Sequence, residues 1–157
     1  MSTRPGFSWQ IVAGVTLPRM VRAGEDCAVR TGRSYRQTNN LLPSGDAAAL
    51  ARILQLYASA DLILTSRLHG CILALATGRP VLAVSADHKV ESFMIAAGLS
   101  DWVLDLDDLA ELPQRLERLP EQHAPVGFVA RVREQNREVG ALLRALITVG
   151  GQGTVSA

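Results

Sequence analysis

The sequence predicts an α/β protein with a Rossmann-like, mostly parallel sheet and helices on both faces. Short apolar runs alternate with amphipathic helical segments between residues 46 and 119. The connections between them are short, which is typical of right-handed crossovers between parallel strands. With 157 residues, 48% of them apolar, the chain is long enough to bury a core of its own.

The segments before residue 46 are the least distinct. Residues 9–17 are apolar enough for a strand, residues 27–31 favour a second strand, and residues 33–45 are typical of a loop. We therefore expect three parts: a strand and loop region at 1–45, a Rossmann-like domain at 46–149 and a disordered tail at 150–157.

From residue 47 onward the pattern is regular. Apolar residues at helical spacing, from Leu50 to Tyr57, predict a helix over 47–58. Short apolar runs predict strands buried on both faces, at 62–65, 81–84 and 102–106. Further helices are predicted at 67–77, 89–97 and 109–119. Pro113 requires the last of these to start late or to kink.

A final helix is predicted over residues 128–147. Its apolar residues fall on one stripe, formed by Phe128, Val132, Val139, Leu142, Leu143 and Leu146. A small sheet covers less apolar surface than this stripe offers, so we expect part of it to face a partner. The alternative is that residues 1–40 fold back over the stripe.

The charge balance and the cysteines exclude several classes of protein. The formal net charge is +1, whereas a nucleic-acid-binding domain carries a marked basic excess. The sequence shows no apolar run of roughly 18 residues, the length of a membrane-spanning helix, and no signal peptide. Cys27 and Cys71 lack metal-ligand spacing. We therefore expect a reduced protein, in the cytoplasm or peripheral at the inner face of the membrane.

Lys89 is the only lysine among 16 basic residues, the other fifteen being arginines. A coding bias toward arginine explains the fifteen and leaves the exception unexplained. A compact ammonium has no equivalent in the planar guanidinium, so the location of Lys89 decides whether it matters. It opens the helix that follows the predicted strand 81–84.

Polar side chains follow two consecutive predicted strands. Ser66, Arg67, His69 and Gly70 come after strand 62–65, and a second polar set at 85–89 comes after strand 81–84. Ligands of parallel sheets bind beyond the carboxyl ends of the strands. If the two strands are neighbours, the two sets lie about 5 Å apart at one edge of the sheet.

These residue types suit an anion. Each set opens a helix, whose free N–H groups favour negative charge. Arg67 can bind a carboxylate or a phosphate through two parallel hydrogen bonds, and His69 can exchange a proton near neutral pH. Gly70 would let a ligand approach the first helical turn, and Lys89 adds a positive charge. The pattern indicates a small, multiply charged anion that undergoes proton-coupled chemistry.

Simpler interpretations exist for each residue taken singly. An arginine or histidine at a helix start is more often a surface or capping group, and the Asp-His-Lys sequence at 87–89 is more often a solvated turn. The joint placement of Arg67, His69 and Lys89 favours a site. His123 is interpreted as a loop residue, and Cys71 as a small apolar filler.

Three further arginines, Arg30, Arg33 and Arg36, would extend the basic site if residues 27–31 formed a strand of the same sheet. A solvated loop is the simpler interpretation of their position.

The motif that joins these residues is Ser-Arg-Leu-His-Gly at 66–70, followed by Gly-Arg-Pro at 78–80, Lys89 and Phe93. Over residues 46–106 the chain thereby resembles the C-terminal half of the polysaccharide pyruvyl transferase family. Members of that family resemble two-domain glycosyltransferases of the GT-B type. They transfer the enolpyruvyl unit of phosphoenolpyruvate to two hydroxyls of a sugar, which forms a pyruvate ketal.

The resemblance implies a role for each residue. His69 would be the general acid that protonates the methylene carbon, while Arg67 and Lys89 would hold the anionic groups and stabilise the departing phosphate. Ser66, Gly70 and His88 are expected to contact substrate. Phosphoenolpyruvate would be the donor and a saccharide the acceptor, with no cofactor and no metal.

Members of the family are longer and carry an N-terminal domain as well. We therefore expect a homodimer, or a complex with an N-terminal-half chain. Two alternatives stay open: a GT-B-type half that binds a nucleotide sugar, with Glu91 or Asp105 on the ribose hydroxyls, and a non-catalytic partner subunit that lacks the other domain.

Overall fold

The computed structural model describes residues 10–14, 17–40, 46, 48–85, 87–123, 125 and 127–150. Within these residues five parallel strands form one sheet: β1 (Gln10–Gly14), β2 (Ser34–Thr38), β3 (Leu62–Thr65), β4 (Val81–Ser85) and β5 (Val103–Asp105). The strand order is β2-β1-β3-β4-β5. The α-helices of the described residues are α1 (Pro18–Thr31), α2 (Ala49–Ser59), α3 (Leu68–Ala76), α4 (His88–Ala96), α5 (Leu112–Arg118) and α6 (Phe128–Gly150).

Helices α1 to α5 form two layers, one on each face of the sheet. α1 contacts α5, whereas α2 contacts α3 and α3 contacts α4. The strand order explains this division, because the chain moves one way from β1 to β2 and the other way from β2 to β5, and right-handed crossovers then place the helices on opposite faces. The predicted fold class, a parallel sheet flanked by helices, is confirmed.

The core lies between the sheet and its helices. β3 and β4 are buried along their whole length, as predicted for strands covered on both faces. Their side chains and those of the flanking helices form one cluster, which includes Met20, Cys27, Leu64, Leu82, Leu104, Leu112 and Leu116. β3 and β4 are therefore firmly packed supports for the residues that follow them.

The prediction of a strand at residues 27–31 was wrong, because this segment is the last part of α1. The buried residues of α1 recur at helical spacing and are Met20, Gly24, Cys27 and Ala28. A segment of five residues at the end of the helix is too short to show this spacing, so its apolar residues resemble those of a strand. The helix ends at Gly32, whose φ of 64° is the left-handed conformation that favours glycine.

The prediction of a loop over residues 33–45 was wrong for Ser34–Thr38, which forms β2. This strand lies at one edge of the sheet, and its exposed residues include Arg36. A polar edge strand lacks the apolar run by which the other strands were predicted. Residues 41–45 lie outside the described part of the chain.

The remaining elements were predicted within a few residues. The late helix start required by Pro113 is confirmed, because Leu106–Glu111 is a 3-10 helix and α5 begins at Leu112. The sheet contains strands on both sides of the expected division at residue 45. The described residues from 125 onward, which include α6, belong to a second compact unit. No helix in the described ranges is both long and apolar enough to span a membrane.

Candidate functional site

The carboxyl ends of β3 and β4 lie side by side. The two strands pair in parallel, with Ile63 opposite Val81 and Thr65 opposite Ala83. The residues that follow them, at 66–70 and at 87–89, therefore start at one edge of the sheet, which is the adjacency that the sequence argument required. This edge is the candidate site.

The turn from β3 into α3 is held by Thr65. Its Oγ1 accepts a hydrogen bond from the Arg67 backbone N–H at 3.2 Å, and Arg67 is the N-cap residue of α3. Ser66, between them, has a buried Oγ with no hydrogen-bond partner in the described part of the chain. A buried hydroxyl of this kind calls for a partner. Contact of Ser66 with a substrate stays a prediction.

Gly70 has a packing reason to be glycine. A β-carbon there would lie 2.1 Å from Thr65 Oγ1 and 2.8 Å from Thr65 Cβ, which no side chain tolerates. The space beside Gly70 therefore belongs to Thr65, not to a ligand approaching from that direction. Substrate contact by Gly70 stays a prediction that would involve its backbone.

Arg67 reaches back across the sheet. Its Nη1 donates to the Asn39 carbonyl oxygen at 3.3 Å, and Asn39 directly follows β2. This contact uses one of the five N–H donors of a guanidinium. Arg67 is partly buried, so its charge sits at the edge of the sheet and does not extend freely into solvent.

The turn from β4 into α4 is built from side-chain hydrogen bonds. Ser85 is 4% exposed, and its Oγ donates to Glu91 Oε1 at 2.7 Å. Asp87 caps the helix, accepting from the Lys89 backbone N–H at 2.9 Å. That hydrogen bond, together with the charges of Lys89 and His88, holds the pKa of Asp87 below its usual value. Lys89 therefore stands on a fixed first turn.

Three of the predicted site residues face solvent. His69, His88 and Lys89 are exposed, and His88 Nδ1 lies 3.3 Å from Asp87 Oδ1. Exposed groups at a helix start are accessible to a ligand. The first turns of α3 and α4 follow two paired strands, and together these turns carry two cationic residues and two histidines. That set can bind an anion and deliver a proton to it.

The two acidic residues considered for a nucleotide sugar are occupied locally. One oxygen of Glu91 accepts from Ser85, and Oδ1 of Asp105 accepts from the Asp107 backbone N–H at 2.9 Å. The Glu91 carboxylate thus ties α4 to the end of β4, and the Asp105 carboxylate holds the turn after β5.

The three additional arginines do not extend the site. Arg30 lies at the end of α1 and Arg33 precedes β2, which places both at the amino-terminal edge of the sheet. Arg36 is exposed on the edge strand. Extension of the site depended on a strand at 27–31, and that segment is helical.

The other two residues match their simpler interpretations. His123 is exposed after the 3-10 helix Leu119–Glu121. Cys71 is fully buried, and burial raises the pKa of its thiol to about 12, so it is an unreactive filler of the core.

Sequence reasoning missed Asn39 and Asn40, which connect the end of β2 to Arg67 and to Tyr57. Asn40 has a φ of 55°, a left-handed conformation that asparagine adopts more readily than most residues. An Asn-Asn pair after a strand is a turn signal, but it becomes informative only once β2 is recognised as a strand.

Comparison with known proteins gives one match. A family model described as polysaccharide pyruvyl transferase matches residues 22–88, and no curated protein or solved structure matches the chain. The match confirms the resemblance inferred from the sequence. It begins earlier than the resembling segment 46–106, includes Arg67, His69 and Gly70, and ends one residue before Lys89.

Proposed function

Because residues 22–88 match the polysaccharide pyruvyl transferase family, we propose that this chain is the donor-binding half of such an enzyme. The donor is phosphoenolpyruvate, and the acceptor is a sugar of a polysaccharide or of its lipid-linked precursor. The product is a pyruvate ketal. The family match supports pyruvyl transfer in general, and the donor and the ketal belong to the proposal.

The observation that carries the proposal is the shared edge of β3 and β4. Arg67 and His69 start one helix and Lys89 starts the next, and the two strands before them are directly paired. Phosphoenolpyruvate carries a phosphate and a carboxylate, so it needs two cationic groups a short distance apart. A guanidinium grips such groups through paired hydrogen bonds, and an ammonium supplies a compact charge.

In the proposed reaction His69 moves a proton, while Arg67 and Lys89 stabilise negative charge. His69 gives a proton to the methylene carbon of phosphoenolpyruvate, and a sugar hydroxyl oxygen bonds to the neighbouring carbon while its proton is released. The proton of this first hydroxyl passes to the imidazole of His69 and restores the acid. A second hydroxyl of the same sugar then replaces the phosphate at that carbon, and its proton leaves with the phosphate as hydrogen phosphate. Inorganic phosphate leaves, and Arg67 and Lys89 stabilise the charge that it carries away.

A further polypeptide surface completes the site in this proposal. His69 and Lys89 are exposed, whereas a reaction through a cationic intermediate requires bulk water to be excluded. We assign the cover and the acceptor contacts to a second copy of the chain or to an N-terminal-half chain. Light scattering of the purified protein tests this, and a monomer of 16.9 kDa that turns over substrate alone would contradict it.

Thermal-shift measurements test the donor. The chain is heated in separate samples with phosphoenolpyruvate, with UDP-sugars and with GDP-sugars. We expect the unfolding temperature to rise with phosphoenolpyruvate and to stay unchanged with the nucleotide sugars. Stabilisation by a nucleotide sugar instead would favour the glycosyltransferase alternative. Phosphate release with a saccharide acceptor then separates a transferase from a subunit that binds the donor without turnover.

A further inference from the structure

Arg67 is held by a residue from two strands away. The strand order places β1 between β2 and β3, so the contact of Arg67 with Asn39 crosses the end of β1. Neighbouring strands are about 4.8 Å apart, and the arginine side chain is long enough to bridge the gap. In a sheet of this order the connections reverse direction between β1 and β3. β3, which Arg67 follows, pairs with β1 on one side and with β4 on the other, so Arg67 starts from the strand that the proposed donor site also uses.

The turn that presents the Asn39 carbonyl is fixed by its neighbour Asn40. The Asn40 backbone N–H donates to Thr38 Oγ1 at 3.2 Å, and its Nδ2 donates to the Tyr57 hydroxyl at 2.8 Å. A residue in the left-handed conformation with both backbone and side chain bonded has little freedom to turn. The Asn39 carbonyl therefore points in one direction.

Tyr57 anchors this turn in the core. It lies on α2 and is completely buried, and burial raises the pKa of its hydroxyl, so the group stays neutral and available for the hydrogen bond. α2 packs against α3, the helix that Arg67 caps. The turn and the guanidinium are thus tied to two helices that contact each other.

We propose that Asn40 and Tyr57 are positioning residues for Arg67: through the Asn39 carbonyl they hold its guanidinium at the carboxyl edge of the sheet before a ligand arrives. The inference rests on the proposed function only for the ligand, phosphoenolpyruvate. A guanidinium that is already ordered loses less conformational freedom on binding an anion. Releasing the anchor weakens donor binding without removing any group that touches the donor.

Tyr57→Phe tests the anchor, because it removes the hydroxyl and leaves the ring that fills the core. Tyr35→Phe is the matched control, since Tyr35 also has a buried hydroxyl but no hydrogen-bond partner for it in the described residues. Asn40→Gly is the second variant, because glycine accepts the left-handed backbone and lacks the amide. All three are titrated with phosphoenolpyruvate as full chains, in the parent and in an Arg67→Ala background.

The expected result is a loss of affinity of about three- to tenfold for Tyr57→Phe and Asn40→Gly in the parent background, the size of one lost hydrogen bond. In the Arg67→Ala background the same changes cost less than about twofold, because the anchor then has nothing to position. Tyr35→Phe leaves affinity unchanged in both. Equal losses in the two backgrounds would show that the anchor is merely structural and would overturn the inference.

A measurement without ligand separates this inference from the proposed function. The guanidinium Nη–H signals of Arg67, assigned by their absence in Arg67→Ala, are expected to be resolved in the parent and in Tyr35→Phe. They should collapse toward those of a freely rotating arginine in Tyr57→Phe. Unchanged signals in Tyr57→Phe overturn the inference even if phosphoenolpyruvate binds. A parent chain that binds no phosphoenolpyruvate overturns the proposed function, while the signals still decide whether the anchor holds Arg67.

Discussion

A β-carbon on Gly70 would lie 2.1 Å from Thr65 Oγ1. The same oxygen accepts the Arg67 backbone N–H, so one hydroxyl both holds the residue that precedes α3 and fills the space that a larger residue 70 would need. The spacing of the motif follows from this packing: the glycine allows α3 to start close against β3. The close packing of α3 against β3 therefore fixes the positions of Arg67 and His69, which lie at the start of α3.

Gly70→Ala is therefore expected to destabilise the fold. Its methyl group would displace the Thr65 side chain and break the hydrogen bond from the Arg67 backbone N–H to Thr65 Oγ1. Overpacking of this kind costs about 1–3 kcal/mol, or more where the backbone must move. Urea unfolding measures the loss. Gly140→Ala is the control, because the nearest side-chain atom to an added β-carbon is 4.0 Å away and alanine favours a helix. Equal effects of the two changes would contradict this account.

Lys89→Arg is expected to weaken phosphoenolpyruvate binding or turnover although it keeps the charge. The planar guanidinium is longer and rigid, and it does not replace a compact ammonium at a site shaped for one. Calorimetric titration of phosphoenolpyruvate measures the change, with the exposed Arg36→Lys as the reciprocal exchange outside the site. A Lys89→Arg chain that behaves like the parent would make Lys89 an ordinary surface residue.

Gln122 is expected to stabilise the start of β4. Its Oε1 accepts from the Val81 N–H and its Nε2 donates to the Val81 carbonyl, both at 2.8 Å, so the amide acts as a short stretch of neighbouring strand. Gln122→Ala leaves both backbone groups of a buried residue without these partners, at a cost of about 1–3 kcal/mol. The free energy of unfolding is compared with that of the exposed Gln114→Ala, which should be unchanged. A neutral Gln122→Ala would disprove the role.

Cys71 is expected to resist alkylation in the folded chain. Burial raises the pKa of its thiol from 9.0 to about 12, and the reactive thiolate is therefore scarce near neutral pH. The folded state favours the protonated thiol, so this contribution to stability is present below pH 9.0 and is lost as the pH rises toward 12. Mass spectrometry after iodoacetamide, with and without urea, checks it. Rapid labelling without urea would contradict the burial.

The sequence predicted the elements that are marked by their own residues, and it missed those that depend on a partner elsewhere in the chain. β3, α3, β4 and α4 are marked by their own apolar runs and helix starts, so their positions were predictable. The pairing of β3 with β4, the strands that Arg67 and Lys89 follow, was the condition that the sequence argument set. β2 is a polar edge strand that is stabilised by pairing with β1, and a single sequence carries no sign of that pairing. The contact of Arg67 with Asn39 spans 28 residues and depends on the strand order, so it became visible only in the structure.

The central claim is that phosphoenolpyruvate binds at the carboxyl ends of β3 and β4. The most direct test is to titrate phosphoenolpyruvate into isotopically labelled chain and to follow the backbone amide signals. We expect the largest shifts at residues 66–70 and 87–91, with little change in α5 and α6. Shifts confined to other parts of the chain, or no shifts at saturating phosphoenolpyruvate, would contradict the account.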